Sequence, residues 1–456
     1  MSNCAIVGIN WGDEGKGRMV DLLSEEQDIV CRYQGGNNAG HTVINSRGKF
    51  ILNLLPSGIL RPEIVNIMGN GMVIDLKHLY HEVGRLVKAG VVITPDNLKI
   101  SDRACVTLPY SVILDRLEEW RLADKAYGST GRGIAPSYGD KYMKKSVRMG
   151  DIFYPDAMHE NLKGLVEYKN LMIRSVYGEL LKDEEKARFK LGKDSGDESY
   201  YDQFFKNGEL SYDAIAAWVD KYAGYFKDYI VDTGVYLTDA LAHGKRVMFE
   251  AQLGALRDID FGIYPYTSSS STIASYAPIG AGIPGVRLDR TVGIMKAYSS
   301  CVGAGPFTVE MFGKEADDLR GAGGEFGAAT GRPRRVGAFD VVASKYGCRV
   351  QGADEIAFTK LDILSYMEKI PVCVAYDIDG KRTTDFPVGE ALNRAKPVFE
   401  YLDGWQCDIS GCRKVSDLPK NALDYIRYCE KAVGCNIRYV SVGAEREAYI
   451  DMAEGK

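Results

Sequence analysis

Short apolar runs alternate along the chain with stretches of helical periodicity. The runs that predict strands lie at residues 4–10, 29–33, 64–68, 246–250, 356–359, 371–377 and 437–442. A helical pattern is clearest where Ile215, Trp218, Tyr222, Tyr225 and Tyr229 recur about every 3.5 residues, which predicts a core-facing stripe. Strands that alternate with helices are typical of a largely parallel sheet covered by helices. We therefore expect an α/β fold with a mostly parallel central β-sheet, flanking helices and helical excursions.

The chain offers no point at which this pattern would break into separate domains. We find no internal repeat and no linker, so residues 1–456 are expected to form one large domain. Residues 182–199 are charged and poor in apolar side chains, which predicts a solvated excursion without a site.

Composition narrows the class of protein. Hydrophobic residues make up 45% of the chain, and the net charge of −5 comes without a basic tract. Nucleic acid is therefore not expected as the main partner. No apolar run of membrane length and no leader is evident, which predicts a cytoplasmic protein without a membrane partner. The ten cysteines are expected to be reduced, and the spacing within the C-terminal group does not fit a zinc site: Cys407, Cys412, Cys429 and Cys435.

A glycine-rich turn joins the first predicted strand to a helix. In INWGDEGKG (9–17), glycines allow backbone N–H groups to approach phosphate, while the helix N-terminus and Lys16 add positive potential. The turn departs from the usual G-x-x-x-x-G-K-[ST] loop, because Asn10 replaces its first glycine and Gly17 replaces the hydroxyl residue that binds magnesium. The segment predicts a P-loop-related nucleotide site with Asp13 as the metal ligand. The alternative is an ordinary turn with solvent-facing charges.

A second polar loop follows the strand at 29–33. Its sequence, QGGNNAGHT (34–42), is too polar and glycine-rich for the core, so we expect it at the same sheet edge. His41 lies between Gly40 and Thr42, where its ring can reach a ligand. A structural or idle histidine is the alternative.

Another nucleotide signature ends the strand at 356–359. The segment Thr359-Lys360-Leu361-Asp362 matches the Asn/Thr-Lys-x-Asp pattern that recognises guanine. Asp362 would accept hydrogen bonds from N1–H and the 2-amino group, and the Lys360 stem would cover the ring. The turn that contains Ser441 and Gly443 is placed to contact the base from its other side. Alone, this short pattern also occurs by chance.

Three arginines follow a glycine-rich stretch at 324–331. Arg332, Arg334 and Arg335 would bind carboxylate or phosphate groups through their paired guanidinium nitrogens. The alternative is a solvated run of charge.

These motifs together resemble the adenylosuccinate synthetases, the GTP-dependent ligases that join IMP and aspartate. The similarity covers nearly the full length of the chain. The segments that match the family are WGDEGKG (11–17), GGNNAGHT (35–42), LPSGIL (55–60), STGRGIAPSY (129–138), DIDFGIYPYTSS (258–269), KAYSSCVGAGPF (296–307), EFGAATGRPRR (325–335) and TKLD (359–362).

The resemblance implies a two-step reaction and a role for each motif. Asp13 would take the N1 proton of IMP and bind Mg²⁺ together with the Gly40 carbonyl. His41 would bind the phosphoryl group as it moves from GTP to O6 of IMP. The amine of L-aspartate would then displace phosphate, with its carboxylates bound by Thr330, Arg332 and Arg334. The family also implies a homodimer with a shared active site.

The same resemblance assigns nucleotide contacts from loops in 11–42, 128–145, 250–270, 325–335, 359–362 and 441–443. Implied GTP contacts are Gly12, Asp13, Glu14, Gly15, Lys16, Gly17, Gly40, His41, Thr42, Arg334, Lys360, Asp362, Ser441 and Gly443. Implied IMP contacts are Asp13, Lys16, Asn38, His41, Thr130, Lys144, Gln252, Ser268 and Arg332.

Departures from the family pattern lie on the IMP side. Residues 250–254 read E-A-Q-L-G where the family has E-G-A-Q-G, so that Gln252 comes one position early and Leu253 takes the place of the family glutamine. Ser268 aligns with a threonine, and Lys144 aligns with an arginine from the partner subunit. Lysine lacks the guanidinium fork. A paralogue that acts on a related nucleotide such as (d)GMP is therefore the alternative enzyme. A regulatory GTP-binding protein would instead carry a hydroxyl residue after Lys16 and no carboxylate clamp.

Overall fold

A computed structural model describes residues 3–38, 40–45, 48–192, 198–327, 331 and 333–453. Its centre is a ten-stranded sheet in which every neighbouring pair is parallel except the last. The α/β prediction is therefore confirmed. In spatial order the strands are β11 (Ile230–Val231), β7 (Leu98–Ser101), β5 (Val65–Met68), β2 (Ile29–Arg32), β12 (Val247–Glu250), β1 (Cys4–Gly8), β13 (Arg290–Lys296), β17 (Glu355–Thr359), β21 (Asn436–Ser441) and β22 (Tyr449–Asp451).

Smaller sheets surround the central one. The paired strands are β3 (His41–Asn45) with β4 (Gly48–Leu52), β6 (Val73–Ile74) with β8 (Cys105–Val106), β9 (Phe205–Lys206) with β10 (Glu209–Leu210), and β14 (Ser299–Cys301) with β15 (Arg335–Gly337). A further sheet contains β16 (Phe339–Asp340), β18 (Lys369–Ile378), β19 (Lys381–Thr383) and β20 (Lys396–Asp403).

Helices connect and cover the strands. They are α1 (Lys16–Leu23), α2 (Leu76–Lys88), α3 (Pro109–Leu122), α4 (Ile134–Met143), α5 (Pro155–Leu181), α6 (Glu184–Leu191), α7 (Tyr200–Phe204), α8 (Tyr212–Phe226), α9 (Thr233–Ala242), α10 (Ala277–Ala281), α11 (Gly313–Gly323), α12 (Val341–Gln351), α13 (Glu390–Arg394) and α14 (Lys420–Val433). Within the described ranges, none of these helices is both long and apolar enough to cross a membrane.

Three local expectations need correction. The predicted strand at 371–377 lies in β18, where β19 and β20 pair with it antiparallel, outside the central sheet. The aromatic stripe is only partly in the core, because Ile215 and Tyr222 are buried whereas Tyr225 is 44% exposed. Residues 182–199 are not wholly solvated, since they include α6, whose Ala187 and Leu191 are buried.

The centre of the sheet positions the first glycine-rich turn. Strand β1 is buried along its length, and α12 packs against its carboxyl end. Gln351 donates to the Gly8 carbonyl at 2.9 Å, and Asn10 donates to Ser344 Oγ at 3.1 Å. A side chain at Gly347 would collide with the Ile9 carbonyl. Helix α12 therefore packs against the end of β1 and the start of the glycine-rich turn.

Candidate functional site

The glycine-rich turn between β1 and α1 folds around the carboxylate of Glu14. This buried group accepts from the backbone N–H of Asn10 at 3.2 Å and of Gly12 at 2.8 Å. Lys16 Nζ lies 2.6 Å from the other carboxylate oxygen and is also buried. Gly12 and Gly15 have φ values of 100° and 97°, which favour glycine. Lys16, predicted to contact phosphate, is therefore paired with Glu14 in this structure.

Gly17 lies against His41, and this contact explains the missing hydroxyl residue. A Cβ at position 17 would lie 2.8 Å from His41 Cβ and 3.4 Å from Ser57 Oγ. The space that serine or threonine would use in a P-loop is thus occupied by the histidine.

His41 is fixed by a buried carboxylate. Its Nδ1 lies 2.5 Å from Glu250 Oε1, and Glu250 also accepts from the Ser57 N–H and Oγ, each at 2.7 Å. Burial tends to raise the pKa of Glu250, but the hydrogen bond and charge of His41 outweigh it, so this pKa lies below its usual value. The ionised carboxylate can only accept, so Nδ1 carries the hydrogen.

The opposite ring nitrogen of His41 is available. Nε2 is buried and has no hydrogen-bond partner among the described residues. Burial lowers the pKa of His41, and the hydrogen bond to Glu250 opposes that effect. Glu250 was not assigned a contact from the sequence; its only signal is an acidic residue at the end of a buried strand.

Asp13 is joined to the arginine-rich segment. Arg334 Nη2 lies 3.1 Å from Asp13 Oδ2, and its Nη1 lies 2.8 Å from Glu325 Oε2. The Asp13 side chain is 31% exposed. The structure therefore brings together two of the predicted site residues. Thr330 and Arg332 lie outside the described residues.

The predicted guanine segment meets the glycine-rich turn. Thr359 Oγ1 donates to the Glu14 carbonyl at 2.7 Å, which ties the end of β17 to the turn. Lys360 has a φ of 61° and directs Nζ to the Gly323 carbonyl at 2.7 Å and to Glu325 Oε1 at 2.8 Å. Burial raises the pKa of Asp362.

Arg18 joins the two sides of the predicted base site. From α1 it donates to Ser441 Oγ, to the Gly443 carbonyl at 2.8 Å and to the Ala448 carbonyl at 3.0 Å. Its charge also acts on Asp362. Sequence reasoning missed Arg18, although a cation in the first turn of a helix that follows a phosphate-type loop was an available signal.

Three residues predicted to contact IMP belong to one polar network. Gln252 donates to the Gly36 carbonyl at 2.7 Å and Asn38 Oδ1 accepts from the Gly36 N–H at 3.4 Å. Ser268 Oγ lies 3.2 Å from Ser270 Oγ, and Ser270 donates to Gln34, which in turn donates to the Gln252 carbonyl. Gln252 thus supports the backbone of the second polar loop.

Thr130 and Lys144 lie apart from this network. They flank α4 and are exposed. Among the described residues, no hydrogen bond or ion pair joins either side chain to another predicted site residue. Gly40 precedes β3 and Thr42 lies within it beside His41.

Comparison with known proteins shows which family the chain resembles. The family model for adenylosuccinate synthetase matches residues 5–450. Adenylosuccinate synthetases of Streptococcus gordonii and Streptococcus sanguinis are each 41% identical over 448 residues, which cover 98% of this chain and 97% of each relative.

Solved structures agree with that match. The fully ligated adenylosuccinate synthetase of Plasmodium falciparum superposes with a TM-score of 0.84 at 33% identity, covering 99% of this chain and all of that one. The cyanophage S-2L succinoaminodeoxyadenylate synthetase, bound to dGMP and dATP, has a TM-score of 0.58 at 18% identity over 100% of this chain and 98% of its own, and that likeness shows the fold alone. The chain belongs to the adenylosuccinate synthetase family.

Proposed function

We propose that this protein is a ligase that converts IMP, L-aspartate and GTP into adenylosuccinate, GDP and phosphate through 6-phosphoryl-IMP. One observation carries the proposal: buried His41 is held by Glu250 through Nδ1, while its Nε2 lacks a partner among the described residues. An imidazole held in this way beside the glycine-rich turn suits a phosphoryl group in transfer.

In the first step Asp13 acts on the IMP base. Arg334 binds Asp13 Oδ2, which leaves Oδ1 to accept the N1 proton. The electron pair released from N1 makes O6 nucleophilic. O6 then forms a bond to the γ-phosphorus of GTP, the bond to the β–γ bridging oxygen breaks, and GDP leaves.

His41 stabilises charge on the group in transfer. Because Nδ1–H donates to Glu250, Nε2 donates only when the ring is protonated. Burial lowers the pKa of His41 in the absence of ligands, whereas a triphosphate beside Nε2 favours the charged ring. Glu250 therefore supports an imidazolium that forms as the nucleotide binds.

In the second step the amine of L-aspartate attacks C6, and the C6–O bond breaks to release phosphate. Arg334 is expected to bind a carboxylate of L-aspartate, together with Thr330 and Arg332, which lie outside the described residues. Paired guanidinium nitrogens suit this contact because carboxylates accept two parallel hydrogen bonds.

Mg²⁺ is proposed to bind at Asp13 and the Gly40 carbonyl. The carboxylate and partial exposure of Asp13 fit a cation that takes one or two protein oxygens and otherwise phosphate and water. When bound, it would neutralise charge on the GTP phosphates.

A homodimer is proposed around the end of α4. Tyr142 and Met143 are 73% and 53% exposed, and Ile279 of α10 is 47% exposed. The two helices are neighbours, because Gly71 accepts from Tyr138 of α4 and donates to Gly280 of α10. This apolar surface beside Lys144 suits a partner subunit. A cytoplasmic location stays a prediction.

Substrate omission tests the proposed function. Purified protein is incubated with Mg²⁺, a purine nucleoside triphosphate (GTP or ATP), a nucleotide acceptor (IMP or dGMP), and with or without L-aspartate, and phosphate and adenylosuccinate are measured. We expect both products only with GTP, IMP and L-aspartate together, and at least a 10²-fold loss in Asp13→Ala. Preference for dGMP would support the paralogue, and phosphate release from GTP alone at the full rate would support a regulatory GTP-binding protein.

A further inference from the structure

Glu325 is a fully buried carboxylate at the centre of a cluster of cations. Its Oε1 accepts from Lys296 Nζ at 2.8 Å, Lys360 Nζ at 2.8 Å and Tyr298 OH at 2.5 Å. Its Oε2 accepts from Arg334 Nη1 at 2.8 Å. Glu325 is not among the predicted substrate contacts, and the mechanism above assigns it no role.

Glu325 also lies at the base of the loop that carries the predicted L-aspartate contacts. The Arg334 N–H donates to the Glu325 carbonyl at 2.9 Å, and Phe326 pairs with Pro333 in an antiparallel bridge. The described residues on either side of this segment, Phe326 and Pro333, therefore meet next to Glu325. Backbone and side chain of Glu325 both fix the position of Arg334.

The same side chain reaches the predicted guanine segment. Lys360 follows β17 and binds Glu325 Oε1 and the Gly323 carbonyl. Both contacts fix the position of Nζ, and in the proposed function the Lys360 stem would cover the guanine ring. One carboxylate thus binds a residue from each of two substrate sites.

The charge balance explains why the carboxylate is needed. Burial raises the pKa of Glu325, but the charges of Lys296, Lys360 and Arg334 outweigh it and leave this pKa well below its usual value. Without the carboxylate, the positive charges of Lys296, Lys360 and Arg334 would lie close together. Asp13 would be the remaining partner of Arg334 among the described residues. Removing one member of a buried ion pair is strongly unfavourable, so the cations would move apart.

We propose that Glu325 is a positioning residue that fixes Lys360 for the guanine nucleotide and Arg334 for L-aspartate at the same time. This inference rests on the proposed function. It implies that binding of GTP and of L-aspartate depends on one carboxylate that touches neither substrate. The polar network of Gln252 and Ser268 shares no contact with Glu325 among the described residues. Glu325 reaches the IMP side only through Arg334 and Asp13, so IMP binding is expected to change least.

The test compares Glu325→Gln with a matched control. Glutamine keeps the shape and removes the charge. We expect KM for GTP and KM for L-aspartate each to rise about 10-fold or more, the range typical of residues that orient ligand-binding groups, while KM for IMP changes less than about twofold. The control is Glu310→Gln, because Glu310 binds the neighbouring Arg335 at 2.8 Å in the same region. Glu310→Gln should leave all three KM values near those of the unmodified protein.

A second variant provides the test if Glu325→Gln does not fold. Glu325→Gln combined with Lys296→Met removes one negative and one positive charge, so the net charge of the buried cluster is kept. The two raised KM values should persist in it, and calorimetric titration with GDP should show weaker binding without any turnover. A rise in only one of the two KM values, an equal rise in all three, or no rise would overturn the proposal. Failure of the unmodified protein to form adenylosuccinate would instead overturn the proposed function.

Discussion

Asp362 is the residue whose role can be changed most selectively. Guanine presents two donors, N1–H and the 2-amino group, and a carboxylate accepts from both. Burial raises the pKa of Asp362, and Arg18 contributes a nearby positive charge that favours the ionised form. An ionised Asp362 is the form that reads guanine.

Asp362→Asn is expected to change the nucleotide preference from GTP to XTP. The asparagine amide faces the 2-amino group with a donor, so kcat/KM for GTP should fall on the order of 10³-fold because buried donors lose their acceptors. Xanthine has a carbonyl at that position, accepts from the amide and should restore activity. The measurement is kcat/KM for both nucleotides in both proteins. A variant that still prefers GTP would show that Asp362 does not read the base.

Single residues differ in how far sequence reasoning could reach them. Asp13, His41 and Asp362 lie in short motifs, so the sequence alone predicts a role for each of them. Glu250 and Arg18 act through partners far away in sequence: Glu250 meets His41 across 209 positions, and Arg18 meets Ser441 across 423. Glu325 has partners 9, 29 and 35 positions away. Only the strand order of the sheet brings such residues together.

Among the elements, α12 links the core to the glycine-rich turn. Asp340 precedes it, accepts from the Ala343 N–H at 3.0 Å and from Tyr376 OH at 2.6 Å, and is fully buried. Burial raises the pKa of Asp340 to about 6. Because the folded state binds the proton more tightly than the unfolded chain, stability falls as pH rises from about 4 to about 6.

Asp340→Asn should remove this pH dependence. The amide still caps the helix but does not ionise, so the melting temperature of the variant relative to the unmodified protein should rise by a few degrees between pH 4 and pH 7.5. Asp408→Asn is the matched control: hydrogen bonds from Ser410 lower the pKa of this exposed carboxyl, so it is ionised throughout this range and the relative melting temperature of the variant should change little. Equal slopes for the two variants would contradict the assignment.

Strands with long apolar runs were predicted correctly from the sequence. Strands whose place in a sheet depends on the neighbouring strands were not. β1, β2, β5, β12, β17 and β21 were found from their apolar runs. β13 was missed, because its sequence RTVGIMK contains a glycine and charged ends and becomes central only through β1 and β17. β18 has the sequence of an ordinary buried strand, and nothing in it indicates that β19 and β20 pair with it antiparallel.

At the scale of the whole molecule, the exposed Lys144 is expected to contact IMP only in the homodimer. It lies at the end of α4 with a φ of 61°, away from the other predicted IMP contacts. In the proposed homodimer it completes the site of the partner subunit.

Subunit mixing tests that arrangement. Lys144→Ala and Asp13→Ala should each be nearly inactive, whereas subunit exchange should restore about a quarter of the unmodified activity, since half of randomly paired dimers are mixed and each has one intact site. Mixing Asp13→Ala with the Asp13→Ala, Lys144→Ala double variant should restore none. If exchange is verified and the first mixture stays inactive, the site is not shared.

In the proposed mechanism, O6 of IMP becomes an oxygen of the released phosphate. IMP labelled with oxygen-18 at O6 is incubated with the protein, GTP, Mg²⁺ and L-aspartate, and the phosphate is analysed by mass spectrometry. We expect one oxygen-18 atom in each phosphate released, and the labelled phosphate should form at the same rate as adenylosuccinate. Unlabelled phosphate formed alongside adenylosuccinate would contradict transfer to O6 and with it the roles proposed for Asp13 and His41.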